Sequence, residues 1–359
     1  MKEGNKLKKI NVGILGYGFV QSEFHMPCYK EIPEANVTAI GGRRREAVEE
    51  FAKRWRIRET YSGDDFIEKL CANPEVEVVD IGLPNFLHKK AAILAAENGK
   101  HVICEKPLAH NVNEAKAMLD AVEKAGVIHC YAENQTFTPH IIRAKELIEK
   151  GAIGNVFWIR SREAHFGPHS TWFWNPELAG GGVLMDMGCH SIEVARYLVN
   201  KKPSEAFAWG ATLVHKTKAE DNSLALVKYE GNGLGQSENS WAAHGGLDLR
   251  YEIYGSDGAF FIDLTRETGI KVFTVASEEK VGYIVEKAEA KKGWMYPTWR
   301  EHEIYGYLFE LQHFISCILK SEMPKETFRD GYMVNCILDA CYKSMKTGKW
   351  EPISLRRKT

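Results

Sequence analysis

The sequence predicts two domains, an N-terminal α/β domain on a doubly wound parallel sheet and a C-terminal α+β domain with a large, mostly antiparallel open sheet. Three observations predict it. At 359 residues the chain is longer than one hydrophobic core usually organises. Roughly its first 130 residues alternate apolar strand patterns with amphipathic helix patterns, as parallel strands joined by crossover helices do. After about Pro139 the strand-like stretches follow one another with few helices between them, which is the habit of antiparallel sheets.

In the first half, strands are expected at Lys9–Leu15, Val37–Ile40, Val76–Gly82, His101–Cys104 and Ile128–Tyr131. Helices are expected at Arg45–Trp55, Asp64–Cys71, His88–Asn98 and Asn113–Ala125. In the second half a helix at Ile141–Lys150 ends at Gly151, a natural C-terminal stop. Strands are expected at Val156–Glu163, Glu205–His215, Asn222–Glu230, Gly233–Ala242 and Asp248–Tyr254. A helix from about Met185 to Val199 interrupts them, and helices at Tyr305–Leu319 and Arg329–Thr347 close the chain. The boundary is read as 1–135 and 136–359, with the last helices free to pack back onto the first domain.

Bulk composition narrows the function. Apolar residues make up 44% and charged residues 26%, and 47 basic against 48 acidic residues leave a net charge of -1. A chain so balanced has no field of one sign to recruit nucleic acid or an anionic membrane. No stretch approaches the roughly 18 apolar residues of a membrane span. The basic start, Lys6 to Lys9, runs into a strand pattern without the apolar region of a signal peptide. The eight cysteines are scattered with no CxxC pair, which points to a reducing, cytoplasmic setting rather than to disulfides or a zinc ribbon.

The first strand delivers Gly16-Tyr17-Gly18-Phe19-Val20-Gln21. A glycine turn between strand and helix is how a dinucleotide pyrophosphate is cradled, so Gly16, Tyr17, Gly18, Phe19 and Val20 are candidate cofactor contacts on a Rossmann-type sheet. Gln21 replaces the third glycine of that fingerprint. At the end of the second strand the chain reads Gly41-Gly42-Arg43-Arg44-Arg45, without the acid that usually holds the adenosine ribose of NAD. Gly42 and Arg43 are placed beside that ribose. The missing acid tilts towards NADP, whereas an arginine stacked on adenine suits NAD, so both stay open.

Three segments carry chemistry: Leu83-Pro84-Asn85-Phe86-Leu87-His88, Glu105-Lys106-Pro107, and Gly180-Gly181-Gly182-Val183-Leu184-Met185-Asp186-Met187-Gly188-Cys189-His190. Together they resemble the Gfo/Idh/MocA family of dehydrogenases over essentially the whole chain, including Asn134 after the fifth strand and Gly306-Tyr307 near the end. Glu193 departs from the aspartate that many members carry. The resemblance implies a nicotinamide dinucleotide cofactor, a small sugar, cyclitol or glycoside as substrate, and a homo-oligomer. It places Leu83, Pro84, Asn85, His88, Glu105, Lys106 and Asn134 along the cofactor; the alternative for Glu105 is a structural one, holding its own loop through backbone hydrogen bonds. It makes Lys106, Asp186 and His190 catalytic, with Asp186 and His190 also touching substrate.

The chemistry agrees with those residue types. Oxidising a secondary alcohol removes a hydride and a proton, and histidine is the side chain that titrates near neutral pH. Asp186 and His190 are four apart, on one face of a helix. A lysine cation stabilises charge developing on the reacting oxygen. The division of labour between Lys106 and His190 stays open. Metal is not expected, because the Asp186/His190 pair lacks nearby third and fourth ligands.

Two aromatic segments, His165 to Trp174 and Trp294 to His302, suggest stacking on sugar faces, with His165, Trp172, Trp174 and Trp299 as candidate substrate contacts. Packing at a domain or subunit interface is the alternative for the second segment. The expected function is oxidoreduction of a secondary hydroxyl, C3 of a glucoside included. The alternatives are an NAD-dependent glycoside hydrolase working by transient oxidation and elimination, and a non-catalytic cofactor sensor.

Overall fold

The computed structural model describes residues 8–267, 270–275, 283–288, 291–298 and 300–355. The chain divides into two compact units, one formed by Met1–Glu133 with Tyr307–Tyr332 and the other by Asn134–Gly306 with Met333–Thr359.

The first unit holds a six-stranded, all-parallel sheet: β1 (Ile10–Leu15), β2 (Ala35–Gly42), β3 (Glu59–Ser62), β4 (Val78–Ile81), β5 (His101–Glu105) and β6 (His129–Ala132). Their order, β3-β2-β1-β4-β5-β6, is that of the doubly wound dinucleotide-binding fold. Strands β1, β4 and β5 are buried almost throughout, as strands of a parallel sheet covered on both faces are. The short strand β3, Glu-Thr-Tyr-Ser, was outside the expected set. It is a polar edge strand whose pairing with β2, not its own pattern, defines it.

In the second unit, β7 (Val156–Ala164), β8 (Pro203–Ala211), β9 (Asn222–Tyr229), β10 (Gly233–Ser240), β11 (Asp248–Gly255), β12 (Gly258–Asp263) and β15 (Glu351–Pro352) form a seven-stranded sheet. Between them in sequence, β13 (Val272–Thr274) and β14 (Gly293–Met295) pair as a separate ribbon. The large sheet runs β12-β11-β7-β10-β9-β8-β15 and is antiparallel except where β7 lies parallel to β10. Helix Gly188–Val199 packs against β7 and β10, where the Ser161 hydroxyl donates to the Ser191 carbonyl at 3.3 Å.

One expectation needs correcting. The helix expected from Met185 to Val199 is two helices, Val183–Asp186 and Gly188–Val199, broken at Met187. A glycine run before the break and Gly188 after it remove the side chains that would have favoured one continuous helix. Asp186 therefore ends one helix while His190 stands in the first turn of the next.

Candidate functional site

The phosphate loop of the first unit is built by close backbone approach. Gly16 has φ +109° and a Cβ there would stand 2.4 Å from the Gly82 carbonyl oxygen, so no other residue fits this turn. A Cβ on Gly18, by contrast, would meet nothing within 4 Å, which leaves its backbone open to a ligand. Phe19 and Val20 begin the helical run that follows. The loop fits a dinucleotide pyrophosphate.

Gln21, the departure from the fingerprint, is compensated across the turn. Its side chain is fully buried and fills the space that a Cβ on Gly82 would take, and its Nε2 donates to Asp80 Oδ1 at 3.0 Å. The missing glycine has in effect moved to position 82. Tyr17 lies against Gly42, and Arg44 donates to the Tyr17 hydroxyl at 3.3 Å. Arg43 is exposed and stands 3.4 Å from the exposed Asp64 carboxylate.

At the ends of β4 and β5 the structure gathers His25, Tyr29 and Asp80, which the sequence left unassigned, around Glu105. His25 is fully buried, with Nδ1 2.8 Å from Asp80 Oδ2 and Nε2 2.9 Å from Glu105 Oε1. The Tyr29 hydroxyl donates to Asp80 Oδ2 at 2.8 Å, and the Lys106 amide donates to Glu105 Oε2 at 3.1 Å. Burial opposes a charge on His25, but Asp80 and Glu105 outweigh it and hold the imidazole well above its usual 6.5. Burial, together with the Glu105 charge, pushes the Glu310 carboxyl well up. A lone acid inside the apolar run Val78-Val79-Asp80-Ile81 was the sequence signal for this cluster, since a buried charge needs partners.

Lys106 leaves the carboxyl end of β5, half-buried, where ligands of open parallel sheets bind. Its loop is held from below by His88, which is wholly buried. The two ring nitrogens of His88 face backbone carbonyls, Nε2 that of Leu83 at 2.7 Å and Nδ1 those of Pro107 and Leu108 at 3.1 and 3.2 Å. Burial lowers its pKa. Pro84 precedes the helix Asn85–Glu97, and Asn85 opens it almost fully buried.

In the second unit Asp186 and His190 are 2% and 6% exposed. Trp241 donates its indole N–H to Asp186 Oδ2 at 3.1 Å. The helix start at Gly188 is sewn to the sheet by neutral groups. Ser191 Oγ lies 2.5 Å from Ser237 Oγ and 3.1 Å from Asn239 Oδ1, and Asn239 Nδ2 donates to Ser223 and Ser237. Glu220 holds the glycine run, accepting from the Gly182 and Leu184 amides and from the Tyr342 hydroxyl. A Cβ on Gly181 would fall 1.9 Å from that hydroxyl, which explains why glycine stands there. Glu193 accepts two hydrogen bonds from Arg196, at 2.6 and 2.7 Å.

The aromatic segment surrounds the Trp241 end of this site. Trp174 lies edge-on to Trp241 at 5.4 Å, Trp172 stacks on Phe173, and the buried His165 ring meets His169 at 5.0 Å. Asn134 belongs to this unit and donates to the Tyr305 carbonyl at 2.7 Å. Trp299 lies outside the described residues. Nearby, His244, Leu247, Val285, Trp294 and Tyr296 line a cavity of about 380 Å³. No helix among the described residues is long and apolar enough to cross a membrane.

The dinucleotide-binding sheet of the first unit and the buried Asp/His pair of the second are the features of an NAD-binding oxidoreductase. The chain belongs to the Gfo/Idh/MocA family: residues 10–133 match the model described as "Oxidoreductase family, NAD-binding Rossmann fold", and residues 141–261 match the family's C-terminal domain. It is a dehydrogenase of an NAD-binding family that acts on hydroxyl groups. It is 28% identical to levoglucosan dehydrogenase of Pseudarthrobacter phenanthrenivorans, across 96% of this chain and 98% of that one. It is 27% identical to myo-inositol 2-dehydrogenase of Thermotoga maritima, across 94% and 96%. The structure of levoglucosan dehydrogenase with NADH and levoglucosan superposes with a TM-score of 0.82 at 28% identity, covering 97% and 100% of the two chains.

Proposed function

We propose that the protein oxidises a secondary hydroxyl of a sugar, cyclitol or glycoside, with His190 and Lys106 handling the alcohol proton and Asp186 orienting the substrate or His190. The observation that carries this reading is the buried Asp186/His190 pair, oriented by Trp241 at the mouth of a broken helix. Its full-length likeness to levoglucosan and inositol dehydrogenases supports the substrate class.

The dinucleotide, when bound, supplies the hydride acceptor or donor. Gly16 to Val20 hold its pyrophosphate on backbone amides, and Tyr17 with Gly42 and Arg43 borders its adenosine end. His190 accepts the hydroxyl proton as general base. Asp186, itself fixed by the Trp241 indole, orients the substrate or the His190 ring. Lys106 stabilises the charge that grows on the oxygen as the proton leaves. We read the cofactor as NAD: Arg43 is a solvated side chain beside Asp64, and Arg44 is spent on Tyr17, so neither forms a prepared pocket for a 2′-phosphate. The cavity walled by Trp294 and Tyr296 favours a substrate with a second ring or aglycone.

We also read the protein as a homo-oligomer. Trp209 and Leu224 face each other on the outer side of the large sheet, and Phe261 stands 71% exposed on the same sheet. An apolar open sheet face of this kind is usually covered.

The test is a panel of sugars, inositols and aryl glycosides, offered with NAD and with NADP. Growth of the reduced-nicotinamide absorbance with a polyol is the expected result. Release of aglycone without net reduction of cofactor would instead establish the hydrolase, and binding with neither would establish a sensor.

A further inference from the structure

We propose that His25 is a positioning residue for Lys106: clamped between Asp80 and Glu105, it holds the Glu105 carboxylate against the Lys106 amide and so sets where the lysine side chain begins. The inference rests on the catalytic role given above to Lys106.

The geometry leaves His25 little choice of state. Each ring nitrogen faces a carboxylate, at 2.8 and 2.9 Å, and an ionised carboxylate only accepts hydrogen bonds. Asp80 already accepts from Tyr29 on one oxygen and from Gln21 on the other, which makes it the ionised partner. A neutral imidazole would then donate to only one side and leave a lone pair facing the other carboxylate. The doubly protonated ring satisfies both. Glu105 spends one oxygen on that ring and the other on the Lys106 amide, so the clamp runs unbroken from His25 to the backbone of Lys106.

Glu310 completes the balance of charge. It is fully buried, and neither carboxyl oxygen has a hydrogen-bond partner among the described residues. As a neutral acid it adds no third negative charge beside the imidazolium. The array ties the helix after the phosphate loop to the ends of β4 and β5, a stretch of chain that Lys106 needs fixed but that touches none of the reacting atoms itself.

A merely structural His25 would support the phosphate loop, which it follows directly, and its loss would weaken cofactor binding. A positioning His25 affects turnover instead. The experiment compares wild type, His25→Gln, Lys106→Ala and the double variant for kcat and for NAD affinity by fluorescence titration. For His25→Gln we expect kcat to fall by about 10-fold or more while the Kd for NAD changes less than about 2-fold, and no further loss when it is added to Lys106→Ala. Unchanged kcat in His25→Gln, a Kd that rises in step with the loss of kcat, or losses that multiply in the double variant would overturn the proposal. Full turnover in Lys106→Ala would instead overturn the role of the lysine, a separate failure. Because removing one partner of a buried ion pair destabilises the fold, a measurement on the wild type stands beside the variants. Nitrogen-15 spectra of the histidine-labelled protein at pH about 8 should show one ring still doubly protonated. A neutral His25 under those conditions would sink the clamp without any substitution.

Discussion

The two units hold their functional side chains by opposite electrostatic means. Lys106 rests on a buried array of charged groups, His25 between Asp80 and Glu105. Helix Gly188–Val199, which carries His190, is held by neutral hydroxyls and an amide, Ser191, Ser237, Ser223 and Asn239. Ionised clusters are strong but sensitive to protonation and to the loss of a single partner. Neutral networks titrate nowhere near physiological pH. The array beneath Lys106 should therefore feel pH, and the serine–asparagine network should not.

The largest effect should come from breaking the chemistry on either side. Lys106→Ala and His190→Ala should each lower kcat by roughly 10²- to 10⁴-fold, with NAD affinity little changed, as read by steady-state kinetics beside cofactor titration. Near-normal turnover in either would show that its unit supplies binding alone.

A smaller effect sharpens the pH contrast. In the first unit, burial and the Arg329 charge lower the His129 pKa to about 4, and its neutral Nδ1 accepts from the Phe328 amide at 3.1 Å. Its folded pKa lies below the ordinary 6.5, so its contribution is complete above about 6.5 and is lost as pH falls towards 4. The full loss is at most about 3 kcal/mol. Melting temperature should drop across that window, and His129→Gln should flatten the curve. A wild-type curve that is already flat would count against the assignment.

The smallest effect lies in the second unit. Asn239→Ala should cost roughly 1–3 kcal/mol by leaving the Ser191, Ser237 and Ser223 hydroxyls short of a partner. Denaturant midpoints should show the same cost at acidic and at neutral pH. A cost that grows on acidification would mean that the network couples to a charge.

Much of the fold was legible because its signals are local. Helix Arg45–Trp55 was read at its observed bounds, since its apolar residues recur at helical spacing. Strand β12 was not among the expected elements: its Gly-Ala-Phe-Phe-Ile-Asp forms an edge whose pairing with β11 places it in the sheet. The parallel pairing of β7 with β10 was equally out of reach, because strand direction depends on chain that lies between them. Among site residues, Gly16, Gly18 and Lys106 stand out in the sequence because glycine turns and strand ends have fixed meanings. His25, Trp241 and Glu220 do not, because each acts on a partner tens of residues away or more.

By itself, then, the sequence determined the type and order of most elements, the dinucleotide loop and the identity of the polar residues available for chemistry. These follow from periodicity, backbone sterics and side-chain type, all of which act over a few residues. Only the tertiary structure decided that Gln21 is answered by Gly82, that the helix carrying Asp186 breaks at Met187, and that His25 joins two carboxylates from separate strands. Those depend on which distant segments meet, and contacts of that kind leave no spacing in the chain to read.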